Sequence, residues 1–523
     1  LVKKMTYSCL ACQDLSIDKI FRYGIMPDDF NISLITPIPK NNRHTTEPSE
    51  FRPISVSTTL SMIFEDIIRQ NITLNTCANQ FGFKPLTSTK HAYFVVNETL
   101  QHYRGGRSRC WAVALDATKA FDRLWRKGLF FKLIDKIPDV VWRILFLYYN
   151  SSKGVVRINN NHSNPFTIQE GVKQGGIISP ILFNFFIDNL ITECLELNIG
   201  AKIGNANVSI IAYCDDLILL SPIKAHIKLL LQKCDQFAVN WKIRFNSSKS
   251  TIYCTDPGLL GESDLSIGGG PLRKVVNFDY LGLPIGTTEY TENYFETKFR
   301  TVEKSFYSIR RVGIHKGFWF PNTLGFIYKQ YCQSIFNYGL ELIHINKGQI
   351  KRLESRQASL FKVTLGISKY CRNKPLLEAL RVSTLEELYF KHKFLFLKQL
   401  NNNLLAKNIF EYLKCNQQKK NKSSYITQLK DLSKVINIEA IENDKKITLE
   451  LLKKRFSCGN LGLVDSVRTA MSNPLGGRLV GLLLRVEFGN PSGMLNTDDV
   501  AAVVVGPDGV RGGGVLGFLD GGG

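Results

Sequence analysis

Apolar residues in this chain form short β-branched runs interleaved with helically spaced faces up to about residue 290, after which the helical spacing takes over. The sharpest strand signal surrounds AYCDDL, Ala212 to Leu217. VSII before it and ILL after it have strand length, which predicts a buried hairpin carrying Cys214, Asp215 and Asp216 at its tip. Trp111 to Leu115 reads as a short strand ending in Asp116, with a helix over AFDRLWRKGLFFKLI directly behind it. Asp122 then falls in the first turn of that helix, where a carboxylate offsets the macrodipole. Residues 27–56 hold two β-like runs joined by a polar, Pro-flanked loop that Lys40 and Arg52 bracket.

Further signals fill in the order of elements. STTLSMIFEDIIRQNI has helical spacing, with Leu60, Ile63, Phe64 and Ile67 on one face. QFGFKPLTSTKHA is a Gly- and Pro-punctuated turn leading to a helix from about Ser88, and its Lys84 is a candidate clamp on a nucleic-acid backbone. In GVKQGGIISPILFNFFIDNLI, Ser179 followed by Pro180 predicts an N-cap and first helical position. Beyond AYCDDL come a helix and a strand in KLLLQKCDQFAVNWKIRFNSSKSTIYC, with Lys249 in an Asn-Ser-Ser turn, and a strand-turn in FDYLGLPIG. Residues 416–424, NQQKKNKSS, read as a polar linker.

Composition narrows the class. With 523 residues and 44% hydrophobic content the chain supports several globular cores. Lys and Arg exceed Asp and Glu by 22, which suits a polyanionic partner. An anionic membrane surface carries the same charge, but no apolar run approaches the roughly 18 residues of a spanning helix, and the first residues lack a secretory h-region. A soluble, intracellular protein without a membrane partner is expected. The 12 cysteines are scattered through apolar segments, as reduced core thiols are, and Cys9 with Cys12 forms the single CxxC. The chain starts at Leu1, as a fragment would. From Gly459 onward lysine is absent and 16 of the 40 glycines occur, a pattern expected of a joined, non-native or disordered tail.

The candidate chemistry centres on acids at strand ends. Adjacent carboxylates held together raise each other's pKa unless a cation neutralises them, which makes a divalent metal the natural partner of Asp215 and Asp216. A polar Asp-Asp turn is the plain alternative. Asp116 at a rigid strand edge is placed as a further ligand. Gly175 and Gly176 leave backbone uncovered for close approach by a base or sugar, with the Gln174 amide beside them; an ordinary loop-to-helix junction explains them equally. Phe121 reads as core packing or as a ring beside whatever the metal holds. Lys40 and Arg52 suit a triphosphate or a solvated surface.

Taken in order, PIPK, FRPIS, QFGF, ALDATKAFD, GVKQGGIISPILFN, AYCDDL, NSSKS and YLG resemble the motifs of LINE-type, jockey-like non-LTR retrotransposon reverse transcriptases over roughly residues 20–400. The resemblance implies an α+β fold, a right-hand polymerase with fingers and palm over 20–290 followed by an α-helical thumb-like region over 291–415. Residues 1–19 would be an N-terminal fragment, 416–458 a basic linker and helix, and 459–523 the Gly-rich tail. It further implies two Mg²⁺ ions, or Mn²⁺, held by Asp116, Asp215 and Asp216. Phe121 would lie under the sugar and exclude a 2′-hydroxyl, Gln174 and Gly175 would meet the incoming nucleotide, Lys40 and Arg52 would hold its triphosphate, and Lys249 would protonate departing pyrophosphate. The implied partners are an RNA template, a DNA primer or target, and dNTPs. Cys214 stands where these elements usually carry Ala, and Lys84 and Leu86 where they often carry Arg and Gly. A group II intron-type maturase shares the palm motifs, but NYGLELI after the palm favours the retrotransposon type; a degenerate, basic RNA-binding copy is the non-enzymatic alternative.

Overall fold

A computed structural model describes residues 19–433 apart from 25, 28–29, 41–46, 262–263, 312–319 and 417–423. Cys9, Cys12, most of the 416–424 stretch, the helical pattern beyond 433 and the Gly-rich tail lie outside the described residues. Everything described falls in the first of two compact units, Leu1–Met471.

The proline-flanked runs form a hairpin. β1 (Ile32–Pro39) and β2 (Phe51–Ser57) pair antiparallel with Ile38 opposite Arg52, and β1 also pairs in parallel with β4 (Lys153–Ile158). β2 is an edge strand, where the missing N–H of Pro53 costs no central ladder bond. Behind it, α1 (Thr59–Gln70) starts at the Thr58 cap, whose hydroxyl accepts from the Ser61 N–H at 3.2 Å. The buried face of α1 is Ser61, Phe64, Glu65 and Ile68, while Leu60 is exposed. The face expected from apolar spacing is rotated because two polar residues, Ser61 and Glu65, have buried polar partners that hydrophobicity does not register.

A second, five-stranded sheet carries the acids. Its order is β8–β7–β3–β6–β5, from β3 (Trp111–Leu115), β5 (Ile210–Tyr213), β6 (Asp216–Ser221), β7 (Thr251–Cys254) and β8 (Arg273–Lys274). β3 lies between β6 and β7 and pairs antiparallel with both. Trp111, Val113, Leu115, Ile210, Ala212, Leu217, Leu219, Ile252 and Cys254 point into one core, the period-2 set of a pleated sheet. That core is closed by α5 (Ser179–Glu196) and α6 (Lys224–Trp241). Ala112, Ile211, Ile218 and Tyr253 are buried as well, and α2 (Thr89–Gly105) runs beside β5. Both faces are therefore covered, so the strands read as nearly unbroken apolar runs.

Two helix starts differ from expectation. The helix after β3 is α3 (Arg126–Leu133), followed by α4 (Asp139–Asn150), and residues 118–123 form turns instead. The backbone of this stretch is committed elsewhere: Thr118 N–H donates to the Arg244 carbonyl at 2.8 Å, and the Phe121 carbonyl accepts from Val172 N–H at 2.8 Å. Asp122 is thus not in a first helical turn, and a macrodipole role is excluded. In α5, Ser179 is already helical and Ile178 is the cap residue. The Glu65 carboxylate accepts from the N–H groups of Ile177 at 2.6 Å and Ile178 at 3.3 Å, so a side chain from α1 supplies the cap that Ser179 was expected to give.

After the Phe278–Tyr280/Leu283–Ile285 hairpin the chain is helical. α7 (Thr288–Arg311) is tied to α8 (Lys347–Leu365) by Arg356, which donates to Glu303 at 2.9 and 2.6 Å and to Glu296 at 2.8 Å. α9 (Leu385–Leu400) begins with a Thr384/Glu387 capping box. α10 (Leu404–Asn416) follows, and then α11 (Tyr425–Ser433), which docks on α2: Ser424 Oγ and Tyr425 N–H donate to the buried Glu98 carboxylate at 2.7 and 2.8 Å. Most of the described cysteines are buried free thiols. No described helix is long and apolar enough to cross a membrane. The described residues form an α+β fold, two five-stranded sheets with flanking helices followed by a helical region.

Candidate active site

β5 and β6 are joined by a two-residue turn, because Tyr213 pairs with Asp216 and leaves only Cys214 and Asp215 between them. Cys214 sits at φ +58°, a left-handed conformation in which hairpin turns favour glycine. A side-chain-bearing residue persists there only when its surroundings hold it. Across the sheet Leu217 pairs with Leu115, and one step further along this register Asp216 faces Asp116. Sheet pairing thus sets acids far apart in sequence opposite each other.

The electrostatics follow from that placement. Asp216 is open to solvent at its surface yet hemmed by protein; desolvation, then the charges of Asp215 and Asp116, push it up to about 6. Asp215 is also raised, by burial first and by Asp116, while a backbone hydrogen bond and the Arg52 guanidinium oppose the shift. Arg52 comes from β2, so the first sheet contributes a cation to acids on the second. Among the described residues no group of three His, Cys, Asp or Glu side chains is gathered as a ready metal cage. The donor set nevertheless fits a hard divalent cation: three carboxylates that repel one another in a partly desolvated place supply the oxygen ligands such ions take.

The strand end at Asp116 is held by the NSSKS turn. Asp116 N–H donates to Ser250 Oγ at 3.1 Å, and the Asp116 carbonyl accepts from Asn246 N–H at 2.8 Å. Lys249 belongs to this turn, with its backbone N–H bonded to the Asn246 carbonyl at 3.2 Å and its side chain exposed.

On the other flank, Phe121 is half-buried and stacked on Phe183, with ring centroids 5.0 Å apart and planes 16° from parallel. Gln174 donates its side-chain N–H to Asp122 at 2.8 Å, and its carbonyl accepts from Ser55 N–H of β2 at 2.8 Å. Gly175 has φ +114°, and a Cβ there would stand 2.7 Å from the Ser55 carbonyl oxygen, so only glycine fits. Burial raises the Asp122 carboxyl; Gln174 and then the cations Lys119, Lys40 and Arg123 oppose it, which sets Lys40 on the Asp122 side of the site and Arg52 on the Asp215 side. The Lys84 amine is engaged within the protein: it donates to the carbonyls of Thr76 at 3.1 Å and Cys77 at 2.6 Å and braces its own loop.

The residue missed from the sequence is Lys173, next to Gln174. It is buried with Glu65, their charged atoms 3.9 Å apart, and Tyr148 hydroxyl bridges them, donating to Glu65 at 2.6 Å and accepting from Lys173 at 2.8 Å. This network fixes the loop that presents Gln174 and Gly175. A lysine between Val172 and Gln174 gave a faint signal, but its partners come from other segments.

The family profile described as reverse transcriptase (RNA-dependent DNA polymerase) matches residues 38–285. The chain is 24% identical over 400 residues to the probable RNA-directed DNA polymerase from transposon X-element of Drosophila melanogaster, covering 72% of this chain and 42% of that protein. It is 23% identical over 397 residues to the RNA-directed DNA polymerase from mobile element jockey of the same fly, covering 71% and 42%. The chain therefore spans less than half the length of these relatives. Among solved structures, apo telomerase from Candida Tropicalis aligns with 83% of this chain and 73% of that one at 12% identity, with a TM-score of 0.38, too loose a likeness to bear on detail. Residues 38–285, which contain every site residue named above, match the reverse transcriptase family profile, and the chain is similar to the RNA-directed DNA polymerases of the jockey and X-element transposons.

Proposed function

We propose that the chain is an RNA-directed DNA polymerase of a non-LTR retrotransposon, extending a primer 3′-hydroxyl with dNTPs on an RNA template. The observation that carries this reading is the meeting of Asp116, Asp215 and Asp216 at one end of the β3–β6–β5 sheet, opposed by Arg52 from β2. These carboxylates would hold two Mg²⁺ ions, with Mn²⁺ as a substitute. When bound, such ions stabilise the attacking and leaving oxygens of an in-line displacement.

The remaining roles belong to the chain's own groups. Arg52 and Lys40 supply positive charge for a triphosphate. Phe121, its ring plane fixed against Phe183, offers a flat face to the sugar. Gln174 and Gly175, held to β2 through Ser55, border the incoming nucleotide. Lys249, exposed on the turn that braces Asp116, is the donor for the departing pyrophosphate. Residues 20–290 serve as fingers and palm, and 291–415 as the thumb-like region gripping the duplex. The test is primer extension on poly(rA) with oligo(dT), run with Mg²⁺ and with EDTA. Extension with Mg²⁺ that EDTA abolishes is expected; absence of template-dependent extension by a folded, metal-supplied chain overturns the reading.

A further inference from the structure

β5 is the last strand of its sheet, and its outer edge is covered by residues 79–82 of the QFGF stretch. Phe81 N–H donates to the Ala212 carbonyl at 2.8 Å, and Ala212 N–H donates to the Asn79 carbonyl at 2.9 Å. From this edge the fully buried Gln80 side chain reaches the catalytic turn: its Oε1 accepts from Cys214 N–H at 2.9 Å and from Gly82 N–H at 2.9 Å. Both partners are N–H donors, so the amide oxygen must face them. The amide nitrogen has no hydrogen-bond partner among the described residues. Gly82 is locked in turn: Asn184 of α5 donates to its carbonyl at 2.7 Å, and a Cβ on Gly82 would lie 2.5 Å from the Cys214 nitrogen.

Cys214 holds a left-handed backbone without being glycine, and its N–H belongs to the two-residue turn whose other member is Asp215. Left unmet, that buried N–H would carry the full penalty of an unpaired donor and would release the turn to other conformations. From this geometry we infer that Gln80 is a positioning residue, whose amide oxygen holds the Cys214–Asp215 turn in the strained conformation that aims the Asp215 carboxylate. The inference rests on the reading of Asp215 as a catalytic ligand. Gln80 touches neither nucleotide nor duplex in this role, so its loss should appear in kcat and not in substrate binding.

The experiment compares Gln80→Met, which keeps length but lacks the acceptor, with Gln80→Glu, which keeps an acceptor oxygen at the same reach and puts in place of the unpartnered nitrogen a second oxygen that burial beside Asp215 keeps protonated. Single-nucleotide extension gives kcat and the dNTP KM, duplex titration gives affinity, and EPR of free Mn²⁺ reports metal binding without turnover. Gln80→Met is expected to lower kcat about 10²-fold, the scale of an ångström's misplacement of a reacting group, and to weaken Mn²⁺ binding, with KM and duplex affinity unchanged. Gln80→Glu is expected to recover most of the loss. Wild-type kcat in Gln80→Met, or equal loss in both variants, overturns the inference. Where Gln80→Met fails to melt cooperatively, Gly82→Ala, which pushes on the Cys214 nitrogen, replaces it with the same expected loss, and wild-type kcat there overturns the inference equally. Asp215→Asn is run beside them. If it still extends primers the catalytic reading itself fails, whereas an inactive Asp215→Asn with a full-speed Gln80→Met removes only the role of Gln80.

Discussion

Replacing Lys173 by Met should destabilise the junction between the two sheets more than any exposed charge substitution. The Lys173 and Glu65 side chains are 2% and 1% exposed, and their charged atoms lie 3.9 Å apart with Tyr148 between them. Losing the ammonium strands a buried carboxylate that must still accept from Ile177 and Ile178, and breaking one side of such a pair costs about 3–5 kcal/mol. Glu65→Gln keeps an oxygen for those amides, so the double variant Lys173→Met/Glu65→Gln should recover much of the loss, with a coupling of about 2 kcal/mol. Hydrogen exchange across residues 171–182, read with thermal melts, is the assay. Burial holds Lys173 at about 8, below the ordinary lysine value of 10.5. The unfolded chain therefore binds more protons between these pH values, and wild type should gain stability over Lys173→Met as pH rises from about 8 to 10.5. Additive single substitutions, or a Lys173→Met chain within about 1 kcal/mol of wild type, would refute the reasoning.

Phe121→Ala should raise the ratio of ribonucleotide to deoxyribonucleotide kcat/KM, because an apolar pocket alone rejects an added hydroxyl by only about 10²-fold and the clash with the ring must supply more; an unchanged ratio returns Phe121 to core packing. Affinity for an RNA–DNA duplex should fall steeply with salt, since a net charge of +22 directs contacts to phosphates, and a flat profile between low and high salt contradicts this. Glu98, raised to about 7 by burial despite its bonds from Tyr425 and Ser424, binds more protons folded than unfolded between pH 4.5 and 7. Wild type should therefore lose up to about 3 kcal/mol relative to Glu98→Gln as pH rises through that window, and melts with no pH-dependent difference would exclude the effect.

What the sequence made legible was whatever local pattern determines. The VSII and ILL runs became β5 and β6, the WAVAL run became β3 with Asp116 at its end, and Ser88 caps the helix that begins at Thr89. What it hid depends on partners far along the chain. Asp122 looked helical because nothing local reveals that neighbouring carbonyls and amides from 171–172 and 244 claim its segment. Ser179 had the composition of a cap, but Glu65 does the capping. Lys84 looked like a free cation and is bound to its own loop. Gln80 stood in a recognised motif without a role, since its bond to Cys214 forms only once β5 has found its edge.

The most direct test of the central claim is single-turnover incorporation of one dNMP on an RNA–DNA duplex by wild type and by Asp116→Asn, with both chains matched for melting temperature. Asn keeps the size of Asp116 and its backbone ties to Ser250 and Asn246, and it removes only the charge facing Asp216. The account predicts a fall of at least about 10³-fold, the upper range for deleting one electrostatic contributor to a transition state. A folded Asp116→Asn chain that incorporates at close to the wild-type rate would contradict it.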